Sequence, residues 1–470
     1  MTYTSITFIF ILLPIFVGSY YLAPKRLKNT MLVLSSLFFY AWGQPIYVIL
    51  LILSILINYI IAIDQKRRAH DPRLARNVFI FGVTTNILIL FFFKYYAAVF
   101  RFINLVFDTN IAYRDLPMPI GLAIFTLLAI SYQMDVYRRR VPVQRNIIHF
   151  SLYLSFFPQL LAGPIHGYAH MEDQLHHRNM SFEKFGAGSM LFIFGYAKIV
   201  ILANRMADVF VTVRSYPIGT FAMLTAWFAM IAFGFYLYFL LSGFADIASG
   251  LAKMFGFDYQ KNFNYPFTAK GMADFWRRWF ISIGDWMRDY VFLPLYEKFP
   301  TPGGYVGIFV LVWVLIGIWH GSTLNFLIWG LYHLALLLLH EYVFGDTFTR
   351  FPAFVQHIVT FVLVTIGWVF FAFSNLGDGM THLQVMFGAG ARGIADSGTL
   401  YLISSNWFFL LLAVLASSHR GIHLIHTISN AFLHVKVRRV VVVVIYMSIF
   451  LISTAYLVST PFDPLALFRF

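Results

Sequence analysis

The residues best suited to chemistry in this chain are Gly317-Ile318-Trp319-His320-Gly321-Ser322. Two apolar runs, Tyr305 to Trp319 and Leu324 to Leu339, meet there. The first run is 15 residues long. As helix it would cover about 22 Å, against a hydrocarbon core of about 30 Å. His320 is therefore expected at depth, lining a cavity or packed between helices. An ionisable side chain at that depth is a functional-site hypothesis by default. A neutral imidazole in a low-dielectric site can take the proton of an attacking hydroxyl, which is general-base work. The bland alternative is a satisfied core histidine. The flanking glycines, the short run and the adjacent Trp319 weigh against it.

Other candidates are weaker. His333 lies in the second run, 13 residues after His320. That spacing reads as structural, though still within reach of a cavity. Asp246 closes the run Ser242-Gly243-Phe244-Ala245-Asp246, where a carboxylate could orient a histidine or pair with an arginine. Met272 to Tyr290 reads as one amphipathic interfacial helix, its tryptophans at headgroup level. Trp276, Trp279 and Trp286 fall on its apolar arc and Arg277, Arg278 and Arg288 on the other; only Ile281 breaks the pattern. Arginine suits phosphate, so Arg277 and Arg278 are candidate contacts for a charged donor. The bland reading pairs Asp274 with Arg278 at i,i+4. His166, His170, His176 and His177 suggest a metal at first sight. Pro164 and Gly167 weaken a helix there, and Glu172 and Asp173 suit a solvated loop, so no metal site is assigned. Asp246, Trp276, Trp319 and His333 are taken to line a substrate path to His320.

The elements that must position these groups are membrane helices. The chain is 60% hydrophobic and only 11% charged, below the roughly 25% of soluble domains. Its formal charge of +14 resides in short loops between apolar runs, a positive-inside pattern that excludes a nucleic-acid reading. No cysteine is present, which excludes disulfides, thiolate zinc sites and a cysteine nucleophile. There is no H-E-x-x-H, G-x-S-x-G or nucleotide-binding glycine loop. About 11–13 membrane segments are counted along the chain. They begin at Ile6–Leu22, read as a retained span and not a cleaved leader. Gly43-Gln44-Pro45 breaks one pair of spans, and Pro158 with Gly163-Pro164 suggests a re-entrant segment within Ile147–Ile165. The basic loops place the N-terminus outside and, through Arg420, Lys436, Arg438 and Arg439, the C-terminus outside as well. Gly377–Gly398 reads as a flexible outer loop. No separate soluble domain is expected; residues 1–470 read as a single integral-membrane domain.

Five stretches together resemble the membrane-bound O-acyltransferase (MBOAT) family. They are Asn29–Pro45, Phe156–Pro164, Leu241–Pro266, Asp274–Tyr290 and Trp319-His320-Gly321. The likeness is strongest to the branch of alginate O-acetylation and teichoic-acid D-alanylation. It implies an all-α polytopic fold, a ring of helices around a central tunnel, with interfacial and re-entrant helices. It implies that His320 occupies the place of the family's catalytic histidine. It also implies an acyl thioester donor, acetyl-CoA or another, from the cytoplasm, with no permanently bound cofactor. Finally, it implies an extracytoplasmic acyltransferase partner protein and a polysaccharide acceptor. Two positions depart from the pattern. Phe280 stands where relatives of the branch carry histidine, and His166-Gly167 where they often carry arginine. The tail Pro461–Phe470 roughly matches their aromatic C-terminus.

The resulting expectation is a multi-pass protein of the bacterial cytoplasmic membrane that acylates, most simply acetylates, an exported polysaccharide. The rival readings are teichoic-acid D-alanyl transfer, a polysaccharide or lipid transporter with broken helices, and a scaffold inactivated at Phe280.

Overall fold

The computed structural model describes residues 2–161, 163–217, 219–421 and 435–459, and only the backbone of 346, 435, 436, 438 and 439. Regular structure is helical throughout the described residues. Among the described residues, nine helices are long and apolar enough to cross a membrane: Tyr47–Arg67, Pro72–Phe107, Phe182–Arg214, Met223–Met254, Pro302–His320, Leu324–Phe344, Ala353–Ala372, Ser397–Ala416 and Val440–Ser459. Phe8–Leu22, Leu122–Tyr137 and Ile147–Leu160 are shorter apolar helices. This is the all-α polytopic architecture expected from the apolar runs. The late basic loop (422–434) and the tail Pro461–Phe470 lie outside the described residues, as do the side chains of Lys436, Arg438 and Arg439.

The chain divides into two compact units. The first is Met1–Phe192 with Phe244–Gln260; the second is Ile193–Gly243 with Lys261–Phe470.

The first unit shows how polar groups are held in an apolar interior. Asn58 and Asn86 face each other from neighbouring helices and exchange amide hydrogen bonds of 3.1 and 2.8 Å. Gln133 Nε2 donates to the Asn58 carbonyl at 2.8 Å. Such amide pairs between membrane helices are worth about 0.6–1.7 kcal/mol each. The segment from Ile147 is broken as its prolines and glycine suggest. Helix Ile147–Ser155 stops at Phe156, and a four-residue turn of helix, Phe157–Leu160, follows. The freed backbone is satisfied by side chains. The Phe157 N–H donates to Ser36 Oγ at 3.0 Å, the Tyr3 hydroxyl donates to the Phe157 carbonyl, and Gln159 Nε2 donates to the Pro164 carbonyl at 3.0 Å. A break buried in protein meets the requirement that no backbone polar group be left bare in lipid.

In the second unit the glycine-rich stretch after Gly377 is not a loose loop. Leu376–Met386 is a helix whose first N–H groups are capped by Asn375. Beyond its turns, the Gly393 and Ile394 carbonyls accept from the Met223 and Leu224 N–H groups, each at 3.0 Å. Trp227 Nε1 donates to the Met386 carbonyl at 2.7 Å. The glycines supply turns that backbone pairing then pins, which composition alone does not reveal.

His382 sits in this capping layer, 4% exposed, its ring near Phe221 and Phe373. Its Nε2 lies 3.2 Å from the Ala226 carbonyl and so carries the donated proton. Burial holds its pKa down at about 4 from an ordinary 6.5, and the Ala226 carbonyl opposes this in part. The folded chain therefore favours neutral His382. That stabilisation is fully present above pH 6.5 and is lost as pH falls toward 4, because only the unfolded chain gains a proton in that window. The melting temperature should fall across this interval, and His382→Gln should flatten part of the fall. A melting profile with the same acid dependence in the variant would contradict this assignment.

Candidate functional site

His320 is the last residue of the Pro302–His320 helix. The helix begins at a proline in its first turn, and Thr301 Oγ1 caps it by accepting from the Gly304 N–H at 3.0 Å. It ends because Gly321 turns extended, at φ −168° and ψ 170°. The next helix returns against it. Their crossing is backbone to backbone: a methyl on Gly317 would lie 2.8 Å from the Phe326 carbonyl, and one on Gly330 would lie 2.8 Å from the Trp313 carbonyl. Small residues at such a crossing let membrane helices approach closely.

This approach places His320 in an aromatic enclosure. The imidazole is half-buried, with the rings of Trp319 at 4.9 Å, Trp329 at 5.0 Å and Phe371 at 5.2 Å, all edge-on. Phe326 stacks at 6.3 Å. Trp329 is the hinge of the arrangement: it is fully buried, and it also meets His333, at 5.1 Å. His333 is 0% exposed, and neither ring nitrogen has a hydrogen-bond partner among the described residues. Trp276 lies edge-on to His333 at 4.9 Å and also meets Trp329, at 5.6 Å, and Trp313, at 5.0 Å.

The structure thus gathers Trp276, Trp319, His320 and His333 into one continuous cluster. Asp246 belongs to the first unit, on the Met223–Met254 helix, and is half-buried there. The second unit has an apolar cavity of about 480 Å³ between Phe235, Phe267, Phe361 and Val414, and neither His320 nor its ring neighbours line it.

The stretch Met272–Tyr290 departs from expectation. It forms two short helices, Met272–Arg278 and Ile281–Met287, and not one amphipathic rod. The break falls at Phe280, which adopts the left-handed conformation at φ 46°, an uncommon state for a bulky residue. Asn262 holds the second helix in place: its carbonyl accepts from the Ile281 N–H at 2.9 Å and its Oδ1 from the Ser282 N–H at 3.0 Å. Phe280 stacks on Phe263 at 5.9 Å. Trp279 and Trp286 are buried in protein, at 6% and 7% exposure, so they do not serve as headgroup anchors. Trp279 packs on Phe275, Phe263 and Trp368. Ile281, the one residue off the apolar arc, marks where the rod is interrupted.

The arginines of this stretch are mostly committed. Arg278 Nε donates to Asp274 Oδ1 at 2.8 Å, and Arg288 pairs with Asp285 and Asp289, each at 2.8 Å. Arg277 is exposed, with its Nε 3.3 Å from the Ala273 carbonyl. His166 and His170 bring their rings to 4.7 Å, but the helix begins only at Tyr168, so they do not share a helix face. Burial, and then the charge of His170, push the His166 pKa down to about 3.

Trp313, Trp329, Phe326 and Phe371 were not singled out from the sequence. A signal existed for two of them: Phe326, Trp329, His333 and Leu337 repeat at helical spacing and form the buried stripe of their helix.

Comparison with known proteins gives a consistent result. The profile of the membrane-bound O-acyltransferase family, MBOAT, matches residues 121–377. A probable alginate O-acetylase AlgI of Pseudomonas aeruginosa is 31% identical over 427 residues, covering 90% of this chain and 82% of the relative. A peptidoglycan O-acetyltransferase of Helicobacter pylori is 31% identical, over 81% of this chain and 79% of its own. A teichoic acid D-alanyltransferase of Bacillus subtilis is 25% identical over 54% of this chain and 67% of its own.

Gly321 is the residue whose side chain the enclosure cannot admit. A methyl there would lie 2.2 Å from Phe326 Cδ2 and Cε2. Gly321→Ala should displace Phe326, cost about 1–3 kcal/mol as overpacking does, and lower activity. The double variant Gly321→Ala, Phe326→Leu should recover part of both losses. Melting temperature and turnover check this; a single variant indistinguishable from the parent would contradict the geometry.

Proposed function

The chain belongs to the membrane-bound O-acyltransferase family, and from that premise we propose that it acylates an exported or cell-surface polysaccharide. It is an O-acyltransferase and a multi-pass membrane protein. In our reading the acyl group is acetyl. It comes from acetyl-CoA or another cytoplasmic acyl thioester, and no cofactor is held permanently. Two relatives at 31% identity carry O-acetylation in their names, one of alginate and one of peptidoglycan. Those names support acetyl transfer to a glycan hydroxyl. The D-alanyl alternative has a more distant relative behind it, matched over 54% of the chain. Matches over 90% of the chain support treating residues 1–470 as one acyltransferase domain.

The observation that carries the reading is His320 at a helix end, half-buried and ringed by Trp319, Trp329 and Phe371. Aromatic walls limit solvent around it, and a neutral imidazole is the form able to accept a proton. The imidazole takes the proton from the acceptor hydroxyl as that oxygen attacks the thioester carbonyl. The tetrahedral intermediate collapses, the C–S bond breaks, and the proton passes from the imidazolium to the leaving thiolate. The acceptor hydroxyl belongs either to the polysaccharide or to an extracytoplasmic partner protein that passes the acyl group on. Phe280 has no exchangeable proton, so this scheme assigns proton transfer to His320. The ring contacts that join Trp276, Trp319 and His333 to His320 support a substrate path along them, and Asp246 is kept as a candidate on that path. Arg277 remains the better of the two arginine candidates for a donor phosphate, since Arg278 is bound to Asp274.

The test is acetyl transfer from a labelled thioester donor by full-length protein in proteoliposomes. His320→Ala should lower the rate by about 10²–10⁴-fold, the usual contribution of a general base. An unchanged rate would remove His320 from the mechanism. No transfer by the parent protein, with glycan still crossing the membrane, would favour a transporter.

A further inference from the structure

A different group of residues, in the first unit, carries unbalanced charge. Lys25, Arg26 and Lys28 enter the Lys28–Gly43 helix, which has no side-chain cap and no acid in its first turn. Cations are unfavourable at that end of a helix, where the dipole is itself positive. Arg178 joins them from another segment. It is fixed by the Asn29 Oδ1 at 2.6 Å and the Gln174 carbonyl at 3.1 Å, and its guanidinium lies over Phe257 at 4.4 Å. None of these partners is charged. The described contacts of Lys28 Nζ are uncharged too: Met180 Sδ at 3.3 Å and the faces of Tyr20 and Tyr21 at 4.6 and 5.4 Å. The neighbouring carboxylate, Asp258, is already shared by Lys184 at 2.7 Å and Lys253 at 3.8 Å. Partial burial, with the charges of Arg178 and Lys25, pulls the Lys28 pKa below the ordinary lysine value. Like charges crowded without a counter-charge are costly unless an anion joins them.

The surroundings say what kind of anion. Leu22, next to Tyr21, is 89% exposed, and Phe182, followed by Glu183 and then Lys184, is 96% exposed; Tyr21 meets Phe185 at 5.9 Å. Bare apolar side chains next to cations fit an amphiphile better than a soluble phosphate. Basic clusters at helix ends on a bilayer surface recognise anionic headgroups in this way.

We propose that Lys28 and Arg178 bind the phosphate of an anionic phospholipid at the bilayer surface, with its acyl chains against Leu22 and Phe182. This site is independent of the acyl-transfer reading. Occupied, it neutralises the crowded helix end and ties the Lys28–Gly43 helix to the segment carrying Arg178.

The test uses full-length protein in a non-ionic detergent, melted with dioleoyl phosphatidylglycerol, with dioleoyl phosphatidylcholine, or with inorganic pyrophosphate. Phosphatidylglycerol should raise the melting temperature and phosphatidylcholine should not. Lys28→Gln should melt like the parent without lipid yet bind phosphatidylglycerol about fivefold more weakly. Lys28→Arg should retain binding, as should Arg73→Gln, which removes a cation outside the cluster. Should Lys28→Gln not fold, Lys28→Arg and screening of the lipid effect by added salt decide the matter. Equal stabilisation by both lipids, undiminished binding in Lys28→Gln, or loss of binding in Arg73→Gln would each overturn the proposal. So would full stabilisation by pyrophosphate without lipid, which would identify a soluble phosphate ligand instead.

Discussion

The Pro302–His320 and Leu324–Phe344 helices touch along their backbones at Gly317 and Gly330, and the candidate site depends on that crossing. No side chain larger than hydrogen fits either position without displacing a main-chain carbonyl. Because the helices meet so closely, Trp329 on one reaches His320 at the end of the other. The same indole then rests on His333, one helical turn further along, and Trp276 closes the group from the broken helix of Met272–Arg278. Aromatic contacts of this kind add about 0.5–1.5 kcal/mol each beyond the area they bury. They stabilise the place in which the His320 imidazole is held. His333 illustrates the cost: each of its two ring nitrogens is buried without a partner among the described residues, a penalty of about 1–3 kcal/mol apiece.

Elsewhere the fold meets the opposite requirement, that polar groups in an apolar interior find partners. Ser36, Tyr3 and Gln159 reach the backbone freed at Phe156 and Pro158. Asn58 and Asn86 exchange hydrogen bonds between two helices, and Gln133 donates from a third to the Asn58 carbonyl. Asn262 accepts from the helix that starts after Phe280. Among the described residues, both His333 ring nitrogens and the Trp329 indole nitrogen lack a hydrogen-bond partner, as do the Gln65 amide atoms in the first unit.

Much of this was legible in the sequence, for physical reasons. Apolar runs near membrane thickness identify spans, so the polytopic class and most helix positions follow from hydropathy. His320 is conspicuous because the run before it is too short to carry it into water. Other features rest on tertiary contacts that periodicity does not encode. The helical wheel of Met272–Tyr290 registers an apolar face but not the Asn262 backbone bonds that break it at Phe280. The Gly377–Gly398 stretch reads as flexible because glycine is permissive, and only pairing with residues 221–224 shows it pinned. Trp329 escapes notice because its importance lies in touching two histidines, one of them on another helix.

Acyl transfer at His320, within this aromatic enclosure, is the proposal on which the reading turns. A cryo-electron microscopy structure of the full-length protein with a non-hydrolysable thioether analogue of the acetyl donor would test it most directly. The acyl end of the analogue is expected beside Trp329, with its carbonyl carbon close enough for a hydroxyl held by His320 to attack at about 3–3.5 Å. Density for the acyl end elsewhere, with His320 still walled off by Trp319, Trp329 and Phe371, would contradict it.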